Sequence, residues 1–515
     1  MDPLRIPERF NAAAYFVDRH LAEHRYAKVA FECGGERVTY AALYERVNRC
    51  GNALRQLGVR AGDRVILLLL DTPAFACAFF GAIKIGAVAV PANVLLKPSD
   101  WQHILADSGA CAVVVALELR DEFLKVDRTK LPNLKFVLVA GGESLPGALS
   151  LADAMSAASP ALDPAATGKD EPAFWLYSSG STGVPKGCVH RHRDMLVCAE
   201  RYAKGVLGIR EGDRFFSVAK LFFAYGLGNG LYFPLAAGAT GILWPGSTSP
   251  ANIYSVIERT RPTLFFSVPS NFAALLATTR EGRDYDLSSI RYAVSAGESL
   301  PASLYHRFHE RFGVEILDAI GSTECLHMFI ANRPGAARAG SSGQIIPGYA
   351  ARLLDESGQP VAAGEIGNLF IQSDATCIEY WNQPEKTRAT IREGWIRTGD
   401  KYRVDADGYY WYAGRSDDML KVSGMWVSPV EIEAALIEHP AVLEAAVVGR
   451  EDGERLVKPA AYVVLRDAAG TDALAAELQQ FVAQKLAAYK RPRWVEFLPE
   501  LPKTATGKIQ RFKLR

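Results

Sequence analysis

Val65-Ile66-Leu67-Leu68-Leu69 precedes a small-residue segment, 74–84, that reads as a helix. An unbroken apolar strand leaves neither face to water, so it belongs in a parallel sheet with helices on both sides. The pairing recurs along the chain. The strand 112–115 follows a helix for which Ser99-Asp100 is the expected cap, 264–268 precedes a helix over 271–277, and 292–294 precedes one entered at Pro301. This alternation predicts an α/β fold of parallel-rich sheets covered by helices, with an antiparallel α+β arrangement as the alternative.

The texture changes near residue 350. From 350 to 416, short strands, glycine-containing turns and charged residues predict a β-rich subdomain that completes a large N-terminal domain, 1–416. Gly414-Arg415-Ser416-Asp417-Asp418 is a polar, turn-prone junction. Beyond it, Ser428-Pro429-Val430-Glu431 opens a helix with serine as cap, proline in the first turn and glutamate at the third position. Two strands (442–448 and 460–465) and a helix (472–487) then suffice for a small, separate C-terminal α+β domain, 417–515.

The 515 residues carry a formal net charge of +1, with 49% hydrophobic and 22% charged side chains. That balance suits a globular protein of more than one domain and argues against a dedicated nucleic-acid binder. The longest apolar run, 74–83, is ended by Lys84 and is too short to span a bilayer. Met1-Asp2-Pro3-Leu4-Arg5 shows no secretory pattern, and eight dispersed cysteines without a CxxC pair read as reduced. A cytoplasmic location follows as the expectation.

The segment richest in chemistry is Tyr177-Ser178-Ser179-Gly180-Ser181-Thr182-Gly183-Val184-Pro185-Lys186-Gly187, directly after the apolar Ala173-Phe174-Trp175-Leu176. Three glycines let backbone N–H groups approach an anion, the hydroxyls add donors, and Lys186 adds positive charge; together they suit a phosphate-gripping loop. It is not a Walker A loop, because no Ser or Thr follows Lys186. Gly226-Leu227-Gly228-Asn229-Gly230 lacks the third glycine spacing of a dinucleotide fingerprint.

This loop resembles the phosphate loop of adenylate-forming enzymes, which include acyl- and aryl-CoA synthetases, luciferases and nonribosomal-peptide adenylation domains. Four further motifs recur in that family's order: Gly321-Ser322-Thr323-Glu324, Thr398-Gly399-Asp400, Gly414 to Asp418, and Pro502-Lys503-Thr504-Ala505-Thr506-Gly507-Lys508. The resemblance implies a carboxylic acid activated by ATP as acyl-AMP and then passed to a thiol. It places Ser178, Ser179, Gly180, Ser181, Thr182, Gly183 and Lys186 on the phosphates, Thr323 on the α-phosphate, and Glu324 on Mg²⁺. Ala296, Gly297, Glu298 and Asp318 would face the nucleotide, with Asp400 and Arg415 at the ribose. Lys508 would bridge the substrate carboxylate and the α-phosphate. Asp417 would be a hinge about which the C-terminal domain turns, bringing Lys421, Ser423, Gly424, Met425 and Trp426 to a coenzyme A tunnel.

Two stretches, Leu221 to Asn229 and Asp318 to His327, resemble benzoate-CoA ligases in particular. They imply a small, flat, apolar acid pocket walled by Ala224, Tyr225, Gly226, Ile320 and Gly321, where His327 either orients the carboxylate or is a core histidine. The expected substrates are an aromatic carboxylate, ATP and CoA, with no nucleic-acid or membrane partner; a homodimer is compatible. The rivals are a stand-alone aryl-AMP ligase that loads a carrier protein, a ligase for another small acid, a catalytically silent nucleotide-binding regulator, and an acid-independent NTPase.

Overall fold

The computed structural model describes residues 4–142, 147–179, 185–282, 284–416, 418–422, 425–453, 456–466, 469–503 and 509–515. Two sheets dominate the large N-terminal domain. In the seven-stranded sheet, Arg64–Leu68 lies centrally and pairs in parallel with Val88–Pro91 and Ala112–Ala116. Only the last pair, Pro172–Ser179 with Pro185–Arg191, is antiparallel. The nine-stranded sheet is parallel through its interior, including Leu264–Ser267, Tyr292–Ser295 and Ile316–Gly321, and turns antiparallel only toward its edges. The antiparallel α+β alternative is thereby excluded.

Burial on both strand faces explains the uninterrupted apolar runs. Val65, Leu67 and Val114 join Phe215, Phe266 and Val294 in one core, while Ile66, Leu68 and Val115 enter a second and Phe216, Phe265 and Ala293 a third. The helices Tyr40–Gln56 and Pro73–Lys84 cross so closely that a Cβ on Gly81 would lie 3.0 Å from the Gly51 nitrogen. The small-residue composition of 74–84 is thus a packing requirement. The next helix, Pro98–Ser108, departs from expectation: Lys97 is its cap, and Asp100 accepts from the Lys97 N–H at 3.1 Å. Pro98, with its φ preset for the first turn, moves the start ahead of Ser99.

A five-stranded sheet follows, containing Ala350–Leu354, Gly367–Gln372, Trp395–Val404 and Tyr410–Arg415. The small C-terminal domain holds a three-stranded sheet and a two-stranded ribbon, Leu420–Val422 with Met425–Val427. The helix Pro429–Ile437 starts at Ser428, whose hydroxyl accepts from the Glu431 N–H at 3.2 Å. Its own core includes Val427, Ile432, Val447, Val463 and Leu478. All eight cysteines are free. Among the described residues no helix is long and apolar enough to cross a membrane.

Candidate active site

The described residues on either side of 180–184 belong to two antiparallel strands, Pro172–Ser179 and Pro185–Arg191. Ser178 and Ser179 close one strand, Pro185 to Gly187 open the other, and the register pairs Ser178 with Lys186. Gly180, Ser181, Thr182 and Gly183 lie outside the described residues. Ser178 Oγ sits 3.8 Å from Cys188 Sγ. The second strand delivers Lys186 to a fixed place: its Nζ is 3.2 Å from Glu324 Oε1 and 2.9 Å from the Tyr380 hydroxyl. That hydroxyl donates to the same Glu324 Oε1 at 2.7 Å. Burial would raise the Glu324 carboxyl, but the Lys186 ammonium and the Tyr380 bond outweigh it and hold it below the usual range. Burial, then the charge of Glu324, pushes the Tyr380 hydroxyl up, so it stays a donor.

Thr323, Glu324 and His327 share one tight turn. The Leu326 N–H bonds the Thr323 carbonyl at 3.1 Å and the His327 N–H bonds the Cys325 carbonyl at 2.8 Å. Leu326, fully buried, sits at φ 64°, a left-handed conformation that costs a leucine on the order of 1–3 kcal/mol. Across this turn Glu324 meets Lys186 and His327 meets Asn229. His327 is 2% exposed, with Nε2 3.2 Å from Asn229 Oδ1 and its ring 4.5 Å from Phe233 and 5.8 Å from Tyr225. Burial lowers its pKa to about 3, so the ring is neutral.

Tyr225 anchors its hydroxyl on the carbonyls of Ser267 (3.2 Å) and Val294 (3.0 Å). Any Cβ on Gly226 would strike the Lys220 carbonyl, and one on Gly321 would strike the backbone of His327. Ala224 and Ile320 are partly buried against the same core. Gly297 adopts φ 91° after buried Ala296, with Glu298 next in the chain. Asp318 is 4% exposed and burial raises its carboxyl well above the usual range. Asp400 and Arg415 face each other across neighbouring strands, joined at 2.9 Å.

In the C-terminal domain, the backbones of Lys421 and Trp426 pair across the ribbon, as do Val422 and Met425. Asp417, Ser423, Gly424 and Lys508 lie outside the described residues.

Residues 17–381 match the family described as AMP-binding enzyme, and 431–508 match its C-terminal domain. The chain belongs to the AMP-binding enzyme family. Among relatives of this AMP-binding enzyme, a benzoate–CoA ligase of Thauera aromatica is 50% identical, over 99% of this chain and 97% of that one. The crystal structure of the anthranilate CoA ligase AuaEII with anthranoyl-AMP superposes with a TM-score of 0.95 at 46% identity, covering 99% and 97%. A benzoate CoA ligase from Burkholderia xenovorans LB400 gives 0.90 at 47%, covering 98% and 100%.

Two parts of the enzyme's site escape sequence reading. Tyr380 comes from a segment with no motif of its own, and Asn229, the partner of His327, ends the stretch that resembles benzoate-CoA ligases without being singled out in it. A histidine inside the strand after Lys186 was the available signal for a third, His190, taken up below.

Burial also couples the enzyme's stability to pH. His20 and His192, like His327, are buried, and desolvation lowers them to about 3 and about 4. Below pH 6.5 the unfolded chain takes up protons that these native rings refuse, so stability falls with pH by up to about 1.4 kcal/mol per pH unit for each ring. Asp71, raised by burial to about 6, and Asp18 and Asp318, raised by the same cause, bind their protons earlier in the native state and offset the rings as pH falls. His20→Gln is therefore expected to change the slope of melting temperature against pH between 6.5 and 4 by one proton in favour of the acid side. An unchanged slope in the variant refutes the assignment of His20.

Proposed function

We propose that this enzyme joins benzoate, or a closely related aromatic carboxylate, to coenzyme A through an aryl-AMP intermediate, releasing AMP and pyrophosphate. The observation that supports it most is the single strained turn that aims Glu324 at a phosphate-type lysine and His327 into an aromatic, uncharged wall three residues later.

Glu324 suits Mg²⁺. Among the described residues its hydrogen bonds fall on Oε1 alone, which leaves Oε2 to a hard cation of the kind that takes one or two carboxylates and completes its shell with substrate phosphates. Such an ion neutralises charge between the phosphates when bound. The chain's own groups do the rest. Lys186 and residues 178–183 hold the β- and γ-phosphates, Thr323 the α-phosphate, Asp400 with Arg415 the ribose, and Ala296, Gly297, Glu298 and Asp318 the base. A carboxylate oxygen attacks the α-phosphorus and pyrophosphate leaves, with Lys508 stabilising the developing charge. Rotation at Asp417 then presents Lys421, Ser423, Gly424, Met425 and Trp426, the thiol sulfur attacks the acyl carbon, and AMP leaves.

Product formation across a carboxylate panel tests the reading: benzoate, substituted benzoates, cyclohexanecarboxylate, acetate and a long-chain fatty acid, each with ATP and CoA. Benzoate-type acids are expected to lead, with one thioester per AMP. Ring substituents are expected to shift kcat/KM by about 1–3 kcal/mol per group. Preference for the fatty acid overturns the pocket. AMP formed without thioester when only CoA is supplied favours a carrier protein as acceptor.

A further inference from the structure

We propose that His190, oriented by Asp194, is the positioning residue that sets the turn carrying Thr323 and Glu324; this rests on the adenylation reading above. His190 lies on the strand Pro185–Arg191 that also carries Lys186 and is fully buried, its ring stacked on Phe174 at 5.2 Å. Its Nε2 donates to the Thr323 carbonyl at 2.8 Å, and its Nδ1 lies 3.2 Å from Asp194 Oδ2. Asp194, also fully buried, accepts from the Arg191 backbone N–H at 3.0 Å and from Arg191 Nε at 3.1 Å.

The same arginine reaches the other side of the turn. Arg191 Nη2 donates to the carbonyls of Asp374 (2.9 Å) and Thr376 (2.8 Å), and the next N–H, that of Cys377, donates to the Glu324 carbonyl at 2.7 Å. The carbonyls on both sides of the Glu324 Cα are thus gripped, one by the imidazole and one by the strand that Arg191 holds. Both grips trace back to Asp194. A buried imidazole–carboxylate pair adds little stability that apolar side chains would not supply. Here its bonds end on a backbone held in the unfavourable conformation of Leu326, which relaxes once the Thr323 carbonyl is released. Reaction geometry tolerates such relaxation poorly, since a displacement near 1 Å costs roughly 10²-fold in rate.

The test uses the full chain with His190→Gln, His190→Asn and His190→Leu. It reads benzoate-dependent ATP–pyrophosphate exchange, KM for benzoate and melting temperature. The glutamine amide nitrogen can occupy the Nε2 position; that of asparagine cannot reach Thr323. The Asn and Leu variants are expected to lose roughly 10²-fold in kcat, with KM changed less than about threefold, and Gln to recover at least about tenfold of the loss. Equal exchange by the Gln and Asn variants at matched melting temperatures overturns the proposal. So does failure of all three to fold, which would assign His190 to the core alone. The parent enzyme serves as the separating control: if it shows no benzoate-dependent exchange the adenylation reading fails, whereas normal exchange by the parent beside indifferent His190 variants sinks only the positioning role.

Discussion

Glu324→Gln is expected to slow ATP–pyrophosphate exchange by about 10²–10³ while the protein stays folded. The substitution keeps shape and leaves a carbonyl oxygen that still accepts from Lys186 and Tyr380, so the loss of stability stays near 1–3 kcal/mol. What disappears is the negative charge, together with the second carboxylate oxygen assigned to the metal. Two readouts check this. The Mg²⁺ concentration for half-maximal exchange should rise, and the thermal stabilisation conferred by ATP with Mg²⁺ should shrink. A variant with normal exchange and normal Mg²⁺ demand removes Glu324 from the mechanism.

Lys508→Ala should divide the reaction. Exchange is expected to fall by about 10²–10³, the usual effect of deleting one electrostatic stabiliser, while supplied aryl-AMP is still converted to the thioester. The split follows from the proposed rotation, which gives each half-reaction its own C-terminal orientation. Folding should be unaffected, because the flanking chain is secured independently: Lys503 bridges to Ile509, and Arg511 bonds Glu433 at 2.9 and 2.8 Å. Equal loss in both half-reactions would refute the division of labour.

The parallel sheets were legible because burial on two faces writes itself into consecutive residues, as at 65–69 and 264–267. Ser428 was legible as a cap because the cap, the proline and the glutamate are sequence neighbours. The strand pair on either side of 180–184 was not. Serines at 178 and 179 have loop composition, yet the strand Pro172–Ser179 carries them because its partner arm supplies the hydrogen bonds. Tyr380 was invisible for a related reason: it acts by touching Lys186 and Glu324, and nothing local at 380 records contacts made across 194 and 56 residues. For His327 the neighbours Asn229 and Phe233 were invisible in the sequence around 327, because they fold back on it from elsewhere in the chain.

The ion pairs of the C-terminal tail have a mechanical consequence. Arg511 bonds Glu433 on the domain's first helix, and Arg511 and Arg515 approach Asp418 at 3.9 and 2.6 Å. Asp418 adjoins the proposed pivot, and Arg511 is three residues from Lys508. The described part of the tail and the residue beside the proposed pivot are therefore tied together, so a turn at Asp417, as proposed, would carry residues 511–515 with it. Softening either arginine pair is expected to loosen that coupling before it alters the chemistry of either half-reaction.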